Sequence, residues 1–285
     1  MPDATADPEL PDPLPTKPEL FTECDMEAPI TQSFAGGTVC FYTRRCPEKE
    51  TPNEDSMAVI PVGKDSGVLV VADGLGGIRG GHLASAAAVE AIRDRISESS
   101  PVPGDLRTAI LDGIEAANQR ILDMGLGSAT TLSVVEFSGN TVRPYHVGDS
   151  MILLVGQKGR IKLETMPHSP VGHALQAGMI DEEEAMQHAD RHIVTNCVGQ
   201  NDMRIEIGSP VEMAIRDTLL LASDGLCDNL TVPEIIQTVR SGNLADRSQT
   251  LISAARAQMQ LHAAPETPSK PDDLTVIVFR RTEQD

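Results

Sequence analysis

The sequence predicts an α+β fold, in which antiparallel β-sheets carry helices on their outer faces. Short runs rich in aliphatic and β-branched residues, each bounded by turn residues, outnumber the helical segments. The helical segments come in blocks and do not alternate with the strands, as they would in a parallel α/β fold. Of the 285 residues, 40% are hydrophobic but only 2% are aromatic. The chain can therefore form a substantial core, and we expect that core to be aliphatic.

Residues 1–28 are predicted to form a disordered, acidic, proline-rich tail. They include six prolines within the first eighteen positions, and eight acidic residues against one basic residue, Lys17. Such a segment buries too little apolar surface to offset the entropy lost on ordering. We expect a solubilising leader, with an interaction arm as the alternative.

Residues 29–285 are predicted to form a single domain, because no repeat or linker interrupts them. The predicted strands are 38–43, 56–62, 67–72, 130–137, 141–147, 150–155, 218–222 and 274–280. The predicted helices are 82–98, 105–123, 232–240 and 247–261. In the second of these helices, Leu106, Ile110 and Ile114 recur at the spacing of one helical face.

The segment 166–200 is polar and rich in histidine, and we predict one short helix within it. Asp181 and Glu184 have the three-residue spacing of a helix N-terminus capped by both side chains. The segment also holds four histidines whose spacing does not fit a closed zinc site. We expect surface positions for His168, His173, His188 and His192.

The charge balance excludes several classes of partner. With 42 acidic and 23 basic residues the net charge is −19, so nucleic acids and anionic membranes would repel the chain. No apolar run approaches the roughly 18 residues of a membrane span, and the start of the chain lacks the features of a secretory signal. Five cysteines without a CxxC pair argue against disulfides or structural zinc. These features favour a cytoplasmic location.

Aspartates recur at the ends of the predicted strands. Asp73, Asp149 and Asp224 each follow an apolar run, whereas Asp55 and Asp272 precede one. Asp-Gly alone is a common turn signal, but five strand ends can converge at one edge of a sheet. Converging carboxylates repel one another unless a cation neutralises them. Oxygen ligands without Cys or His select a hard cation, Mg²⁺ or Mn²⁺.

Two such ions close together would share a water molecule, lower its pKa and hold it for in-line attack on phosphorus. The pattern of carboxylates therefore predicts metal-assisted hydrolysis of a phosphate ester.

The ordered motifs resemble those of the type-2C, metal-dependent protein serine/threonine phosphatases (the PPM family). The motifs are Asn53-Glu54-Asp55-Ser56, Val71-Ala72-Asp73-Gly74-Leu75-Gly76-Gly77, Gly127-Ser128-Ala129-Thr130-Thr131, His146-Val147-Gly148-Asp149-Ser150, Ala222-Ser223-Asp224-Gly225-Leu226 and Asp272-Asp273-Leu274-Thr275. The segment 166–200 resembles the flap of the bacterial branch of that family. The resemblance spans roughly residues 30–282.

The resemblance implies a sandwich of two antiparallel β-sheets flanked by helices, with a bacterial-type flap. It further implies that Asp73 bridges two metal ions and that the Gly74 carbonyl is an additional ligand. Asp224 and Asp272 would complete the site of the first ion.

The resemblance also implies roles for four further carboxylates. Glu54 and Asp55 would serve the second ion directly or through its waters, so that Asp55 and Asp73 are the expected catalytic residues. Asp149 and Asp228, together with Asp224, match the position of a third and weaker ion. We therefore expect two or three ions of Mn²⁺ or Mg²⁺ per chain.

The arginine that grips phosphate in this family is replaced here, because its expected position is occupied by Glu50. Arg44, Arg45 and Lys49 are the candidates to substitute for it, and guanidinium geometry favours an arginine. The two arginines are adjacent at a strand end, so we expect their side chains to point to opposite faces. We favour Arg45, because it lies closer to the acidic pair at 54–55.

The leading hypothesis is a protein serine/threonine phosphatase that acts on phosphorylated proteins and has a cognate bacterial serine/threonine kinase. The first alternative is a catalytically inactive relative that acts as a regulatory binding module, which the replaced arginine favours and the intact carboxylates oppose. The second is an unrelated phosphohydrolase of small molecules. That class would require a DxDx(T/V) or GxxxxGK(S/T) motif, and neither occurs in the sequence.

Overall fold

The computed structural model describes residues 17–47, 49–75, 80–99, 106–260 and 270–282, and consists of two antiparallel sheets with helices on their outer faces. The strands are β1 (Glu19–Thr22), β2 (Ile30–Phe34), β3 (Gly37–Arg44), β4 (Asp55–Gly63), β5 (Ser66–Asp73), β6 (Leu132–Ser138), β7 (Thr141–Val147), β8 (Met151–Val155), β9 (Ile161–Glu164), β10 (Glu206–Ile207), β11 (Val211–Glu212), β12 (Thr218–Ala222) and β13 (Leu274–Arg281). The helices are α1 (Gly81–Glu98), α2 (Leu106–Asp123), α3 (Pro170–Gln176), α4 (Glu182–Gln187), α5 (Asp224–Cys227), α6 (Val232–Val239) and α7 (Leu244–Gln260). The predicted α+β sandwich is confirmed.

The strands form two sheets of different topology. The first has the order β1-β4-β5-β6-β7, and both β10 and β11 pair with β7. The second has the order β2-β3-β13-β12-β8-β9, so that the strand nearest the C-terminus lies in its middle. The eight predicted strands and four predicted helices are all present within three residues of their predicted bounds, although residues 105 and 261 lie outside the described residues.

The core between the two sheets is aliphatic around a small group of phenylalanines. The ring centroids of Phe137 in β6 and Phe279 in β13 lie 4.7 Å apart, and Phe34 in β2 packs edge-on against Phe137 at 5.4 Å. Edge-to-face packing is favourable for aromatic rings. These three side chains are fully buried or nearly so, and they join one sheet to the other.

The helices cover the outer faces of the sheets. Buried alanines and isoleucines of α1 and α2 pack against the first sheet in one apolar cluster. Residues of α6 and α7 belong to the cluster that contains the second sheet. Small alanines in α1 allow close approach, which suits a core with few large side chains. None of the described helices is long and apolar enough to cross a membrane.

The prediction of a disordered tail over residues 1–28 is wrong at its C-terminal end. Residues 19–22 form β1, which pairs with β4 along its whole length. Phe21 of this strand lies against Phe41, with ring centroids 5.1 Å apart. The high proline and acid content masked a short apolar pair, Leu20 and Phe21, that adds an edge strand to the sheet. The folded domain thus begins before residue 29, and residues 1–16 lie outside the described residues.

The flap segment 166–200 contains two short helices, α3 and α4, where one was predicted. The predicted cap is confirmed. The Asp181 side chain accepts a hydrogen bond from the Glu184 backbone N–H, and the Glu184 carboxylate accepts one from the Asp181 N–H. The flap lies beside the strand ends that carry the acidic residues.

Candidate metal centre

The acidic residues at the strand ends lie together at one edge of the sandwich. Asp55 opens β4 and Asp73 ends β5, and the two residues are direct partners in the antiparallel ladder. Directly paired residues have neighbouring side chains on one face of a sheet. Asp224 follows β12 at the start of α5, and Asp272 lies two residues before β13.

A cavity of about 400 Å³ opens among these strand ends. The predicted metal-binding residues that line it are Glu54, Asp73, Gly74, Asp149, Asp224 and Asp272. Residues 192–194 of the flap form part of its wall. Asp228 lines an adjoining cavity, which also touches Asp149 and Asp224. The structure therefore brings the predicted ligands together, with Asp55 packed beneath them.

The turn after β5 admits only glycine at position 74. A Cβ atom placed there would lie 2.3 Å from the Gly81 carbonyl oxygen at the start of α1. The Gly74 N–H donates to the Glu54 carbonyl oxygen at 3.1 Å. This close packing ties the strand end that carries Asp73 to the acidic pair. Gly76 and Gly77 of the same motif lie outside the described residues.

Asp55 is a buried carboxylate with one unsatisfied oxygen. Its Oδ2 accepts a hydrogen bond from Ser223 Oγ at 2.7 Å, whereas Oδ1 is buried without a partner. Burial, together with the nearby charge of Asp273, raises the pKa of Asp55 well above its ordinary value. An unpaired buried carboxylate oxygen is costly unless a cation or proton compensates it. The residue thus fits the vicinity of a bound ion.

Burial and repulsion by neighbouring carboxylates also raise the pKa values of Asp73, Asp149 and Asp272. Burial and the charge of Asp224 raise the pKa of Asp73 well above its ordinary value. The same two causes raise the pKa of Asp149 to about 7 and the pKa of Asp272 to about 7. A cation bound among these carboxylates would therefore relieve their mutual repulsion. The donor set therefore fits Mg²⁺ or Mn²⁺.

Lys270 stands among these carboxylates, and sequence reasoning missed it. Its Nζ lies 2.6 Å from Asp224 Oδ2, 2.8 Å from Asp228 Oδ2 and 3.2 Å from Asp272 Oδ2. Burial alone would lower the pKa of Lys270, but these carboxylates raise it above its ordinary value. Its proximity in sequence to Asp272 was visible, but its contacts with Asp224 and Asp228 depend on a backbone position that the sequence does not reveal.

The carboxylates are gathered but do not enclose a common metal position. Within the described ranges, no group of three or more His, Cys, Asp or Glu side chains is already arranged around one ion. Instead, Asp224, Asp228 and Asp272 form ion pairs with Lys270 Nζ, and Glu54 forms one with Lys49 Nζ. Binding of ions therefore requires these side chains to rearrange.

Asp273 holds the loop that leads to the acidic pair. Its Oδ1 accepts the Cys46 N–H at 2.7 Å, and its Oδ2 accepts the Glu54 N–H at 2.6 Å. Lys49 Nζ lies 2.6 Å from Asp273 Oδ2 and 2.8 Å from Glu54 Oε2. Asp273 is thus fully engaged in positioning this loop.

The candidate phosphate-binding arginines line a second cavity of about 500 Å³, together with Lys49 and Arg256. Arg45 Nε lies 3.1 Å from Asp25 Oδ2, and Arg44 Nη1 contacts the Met26 carbonyl oxygen at 3.4 Å. The expectation that the two arginines point to opposite faces is wrong. Strand β3 ends at Arg44, so the alternation of a strand does not extend to Arg45. Of the three candidates, only Lys49 contacts residues of the acidic cavity.

His168 fixes the turn that carries Asp149, and the expectation that it lies at the surface is wrong. Its Nδ1 accepts the Gly148 N–H at 3.0 Å, and its Nε2 lies 3.0 Å from Glu206 Oε2. Its ring packs on that of His146, with centroids 4.8 Å apart. Burial and the neighbouring His168 lower the pKa of His146 to about 3, so that this buried ring stays neutral. The flap is thus hydrogen-bonded to the metal centre.

A comparison with protein families agrees with this site. Residues 44–264 match the family model described as "Protein phosphatase 2C". The chain belongs to the protein phosphatase 2C family. This family comprises metal-dependent protein serine/threonine phosphatases, as the motifs predicted.

Individual relatives of this phosphatase are bacterial. It is 32% identical over 222 residues to a putative protein phosphatase 2C-type of Streptococcus pyogenes, an alignment that covers 73% of this chain and 87% of the relative. It is 30% identical over 246 residues to protein phosphatase PhpP of Streptococcus pneumoniae, covering 84% and 95%. The solved serine/threonine phosphatase of S. agalactiae superposes with a TM-score of 0.73 at 27% identity, covering 86% and 99%. No comparison favours the inactive alternative.

The metal-free phosphatase is expected to lose stability as the pH rises from about 4 to about 7. Asp149 and Asp272 have pKa values of about 7 in the folded protein, against about 4 for an unfolded aspartate. The folded state therefore binds more protons than the unfolded state in this window. The resulting stabilisation is complete below about pH 4 and disappears as the pH passes about 7.

Thermal unfolding in EDTA between pH 5 and pH 8 measures this effect. The melting temperature of Asp149→Asn should fall less steeply than that of the unsubstituted protein. Identical slopes for the two proteins would show that Asp149 does not titrate in this range.

Proposed function

We propose that this phosphatase hydrolyses phosphoserine and phosphothreonine in proteins with Mn²⁺ or Mg²⁺ at the cavity between the strand ends. The observation that carries the proposal is the convergence of partly buried carboxylates on one cavity of about 400 Å³. The residues that would hold the ions are Glu54, Asp55, Asp73, Gly74 through its carbonyl, Asp149, Asp224, Asp228 and Asp272. When bound, such ions lower the pKa of water and stabilise the charge that develops on the phosphoryl oxygens.

In this proposal, residues of the chain orient the catalytic carboxylates and shield the cavity from bulk water. Asp55 and Asp73 face each other across the ladder at the centre of the site, and we assign them to the reacting centre. Ser223 Oγ orients Asp55 through Oδ2 and leaves Oδ1 for an incoming cation. Residues 192–194 of the flap cover one side of the cavity and shield the reacting phosphate from bulk solvent.

The phosphate is expected to contact the basic cavity that adjoins the metal centre. This basic cavity is lined by Arg44, Arg45, Lys49 and Arg256, with Asp25 and Glu50 as its acidic residues. Lys49 connects the two cavities, because it contacts Glu54 and Asp273 of the acidic one. A phosphomonoester thus meets cations on the side away from the carboxylates.

Arg45→Ala is expected to raise the KM for a phosphopeptide about tenfold. The Arg45 guanidinium is partly exposed in the basic cavity, and the loss of one charge-assisted contact costs roughly 1.5–3 kcal/mol. Steady-state kinetics with a phosphothreonine peptide measures the change.

Arg44→Ala is the matched control, because Arg44 faces the Met26 carbonyl and Glu27. We expect little change in its KM. If Arg45→Ala, Arg44→Ala and Lys49→Ala all leave the KM of the unsubstituted protein unchanged, the phosphate is held by the metals alone or by a residue outside this loop.

Turnover of phosphopeptides tests the proposed function directly. With Mn²⁺ present, the protein should release phosphate from phosphoserine and phosphothreonine peptides. Absence of any turnover, with folding intact, would favour the inactive regulatory alternative. Efficient hydrolysis of small phosphate esters without any activity on phosphopeptides would favour a small-molecule phosphohydrolase.

We also propose that the phosphatase acts in the cytoplasm, where it removes phosphate groups added by a bacterial serine/threonine kinase. Phosphoserine and phosphothreonine in proteins must be produced by such a kinase, and the relatives named above are bacterial. The net charge of −19 opposes binding to nucleic acids and anionic membranes. Quantitative phosphoproteomics of cells with and without the protein tests this role, and unchanged phosphorylation of every cytoplasmic protein would contradict it.

A further inference from the structure

Lys270 contacts the outer part of the acidic centre directly. Its Nζ lies within 3.2 Å of oxygens from Asp224, Asp228 and Asp272, and its side chain is only 23% exposed. Long lysine side chains normally keep their ammonium groups in water. The position of Lys270 is therefore a specific feature of this site.

The backbone of Lys270 is fixed by a buried side chain. The amide of Asn229 accepts the Lys270 N–H at 3.1 Å and donates to the Lys270 carbonyl oxygen at 2.8 Å. Asn229 is 2% exposed, and it also donates to the Gly225 carbonyl oxygen at 2.9 Å. This residue directly follows Asp228 in the chain. Asn229 thus fixes the backbone of Lys270 to the turn that carries Asp224 and Asp228, which places the ammonium beside these two carboxylates.

The ammonium competes directly with one of the proposed ions. Asp149, Asp224 and Asp228 are the residues assigned to the outer ion, and Lys270 Nζ contacts two of them at 2.6 and 2.8 Å. Its contact with Asp272, which is assigned to the first ion, is longer at 3.2 Å. An ammonium and a divalent cation repel each other strongly at such short distances in a partly buried site. Both therefore cannot occupy the space between Asp224 and Asp228.

We propose that Lys270 is a built-in cation that takes the place of the outer metal ion, so that the chain holds two ions and not three. The inference rests on the proposed metal-dependent function. In this arrangement Asp228 pairs with the ammonium and holds no ion, whereas Asp224 is shared between the ammonium and the first ion. The ammonium thereby keeps the outer part of the centre folded when divalent cations are scarce.

Counting of bound Mn²⁺ by equilibrium dialysis and elemental mass spectrometry tests the proposal. The unsubstituted protein should bind two ions at saturation. Lys270→Met, which keeps the length of the side chain but removes its charge, should bind a third. The double variant Lys270→Met/Asp228→Asn should return to two ions, because the outer ligand set is then incomplete.

Lys162→Met is the matched control, because Lys162 Nζ lies 2.5 Å from Asp217 Oδ2, and neither residue lines the two cavities of the acidic centre. This variant should bind two ions. In EDTA, Lys270→Met should melt at a lower temperature than the unsubstituted protein, and saturating Mn²⁺ should remove that difference.

Asp228→Asn in the unsubstituted background keeps the inference testable if Lys270→Met does not fold. Asp228 contacts only Lys270 in our proposal, so this variant should still bind two ions.

Three outcomes would overturn the inference. These are three ions in the unsubstituted protein, an equal count in Lys270→Met, or loss of an ion in Asp228→Asn. If no variant binds Mn²⁺, the proposed metal-dependent function fails with it. Equal binding of ions by all variants overturns the role of Lys270 alone.

Discussion

Asp73→Asn is expected to lower kcat for phosphopeptide hydrolysis by about 10³ or more. Asp73 ends β5, faces Asp55 across the ladder and lines the acidic cavity. An asparagine has the same shape but lacks the negative charge with which Asp73 would hold the proposed ions. A thousandfold loss corresponds to about 4 kcal/mol of transition-state stabilisation, the size expected for a residue that would bind both ions.

The fold of Asp73→Asn should be retained or slightly stabilised. Burial and the charges of the surrounding aspartates raise the pKa of Asp73, so loss of its charge relieves repulsion in the metal-free protein. Circular dichroism and thermal unfolding in EDTA measure this effect.

Asp94→Asn is the control, since Asp94 lies on α1 and is paired with Arg93 and Arg120 away from the site. It should leave kcat unchanged. A folded Asp73→Asn protein with near-native kcat would refute the assignment of Asp73.

Removal of divalent cations with excess EDTA is expected to abolish phosphopeptide turnover. The proposed ligands are carboxylate and carbonyl oxygens, which favour Mg²⁺ and Mn²⁺. The set contains no Cys or His, the ligands that zinc prefers. Within the described residues, the cations left among these carboxylates in EDTA are Lys49 and Lys270. Neither ammonium can activate water for attack on phosphorus.

Turnover should return when Mn²⁺ or Mg²⁺ is added to zinc-free buffer. Phosphate release by a discontinuous assay measures it, with a metal-independent phosphatase in the same buffer as the control for the assay. Undiminished activity in excess EDTA would exclude a two-metal mechanism.

The acidic centre could be predicted from the sequence because it depends on local order. Asp55, Asp73, Asp149, Asp224 and Asp272 each lie beside an apolar run, and an antiparallel sheet brings strand ends to a shared edge. The pairing of Asp55 with Asp73 follows from the register of two adjacent strands. The strong strands and helices were predictable for the same reason, since their periodicity is carried by consecutive residues.

The cations of the site could not be assigned from local patterns. Lys270 reaches the carboxylates because buried Asn229, 41 positions away, holds its backbone. The contact of Lys49 with Glu54 was missed as well, because it depends on Asp273, which accepts hydrogen bonds from the Cys46 and Glu54 N–H groups and from Lys49. Strand β1 was missed because a four-residue edge strand is stabilised by the partner it joins.

The location of β13 makes assembly of the centre a late event. This strand inserts between β3 and β12, and the residues just before it supply Lys270, Asp272 and Asp273. A nascent chain that has emerged from the ribosome only as far as residue 260 contains the other twelve described strands, but its second sheet is split in two. The loop 46–54 then lacks its anchor, and the outer carboxylates lack their ammonium. We therefore expect a growing polypeptide to acquire phosphatase activity only when β13 is inserted between β3 and β12.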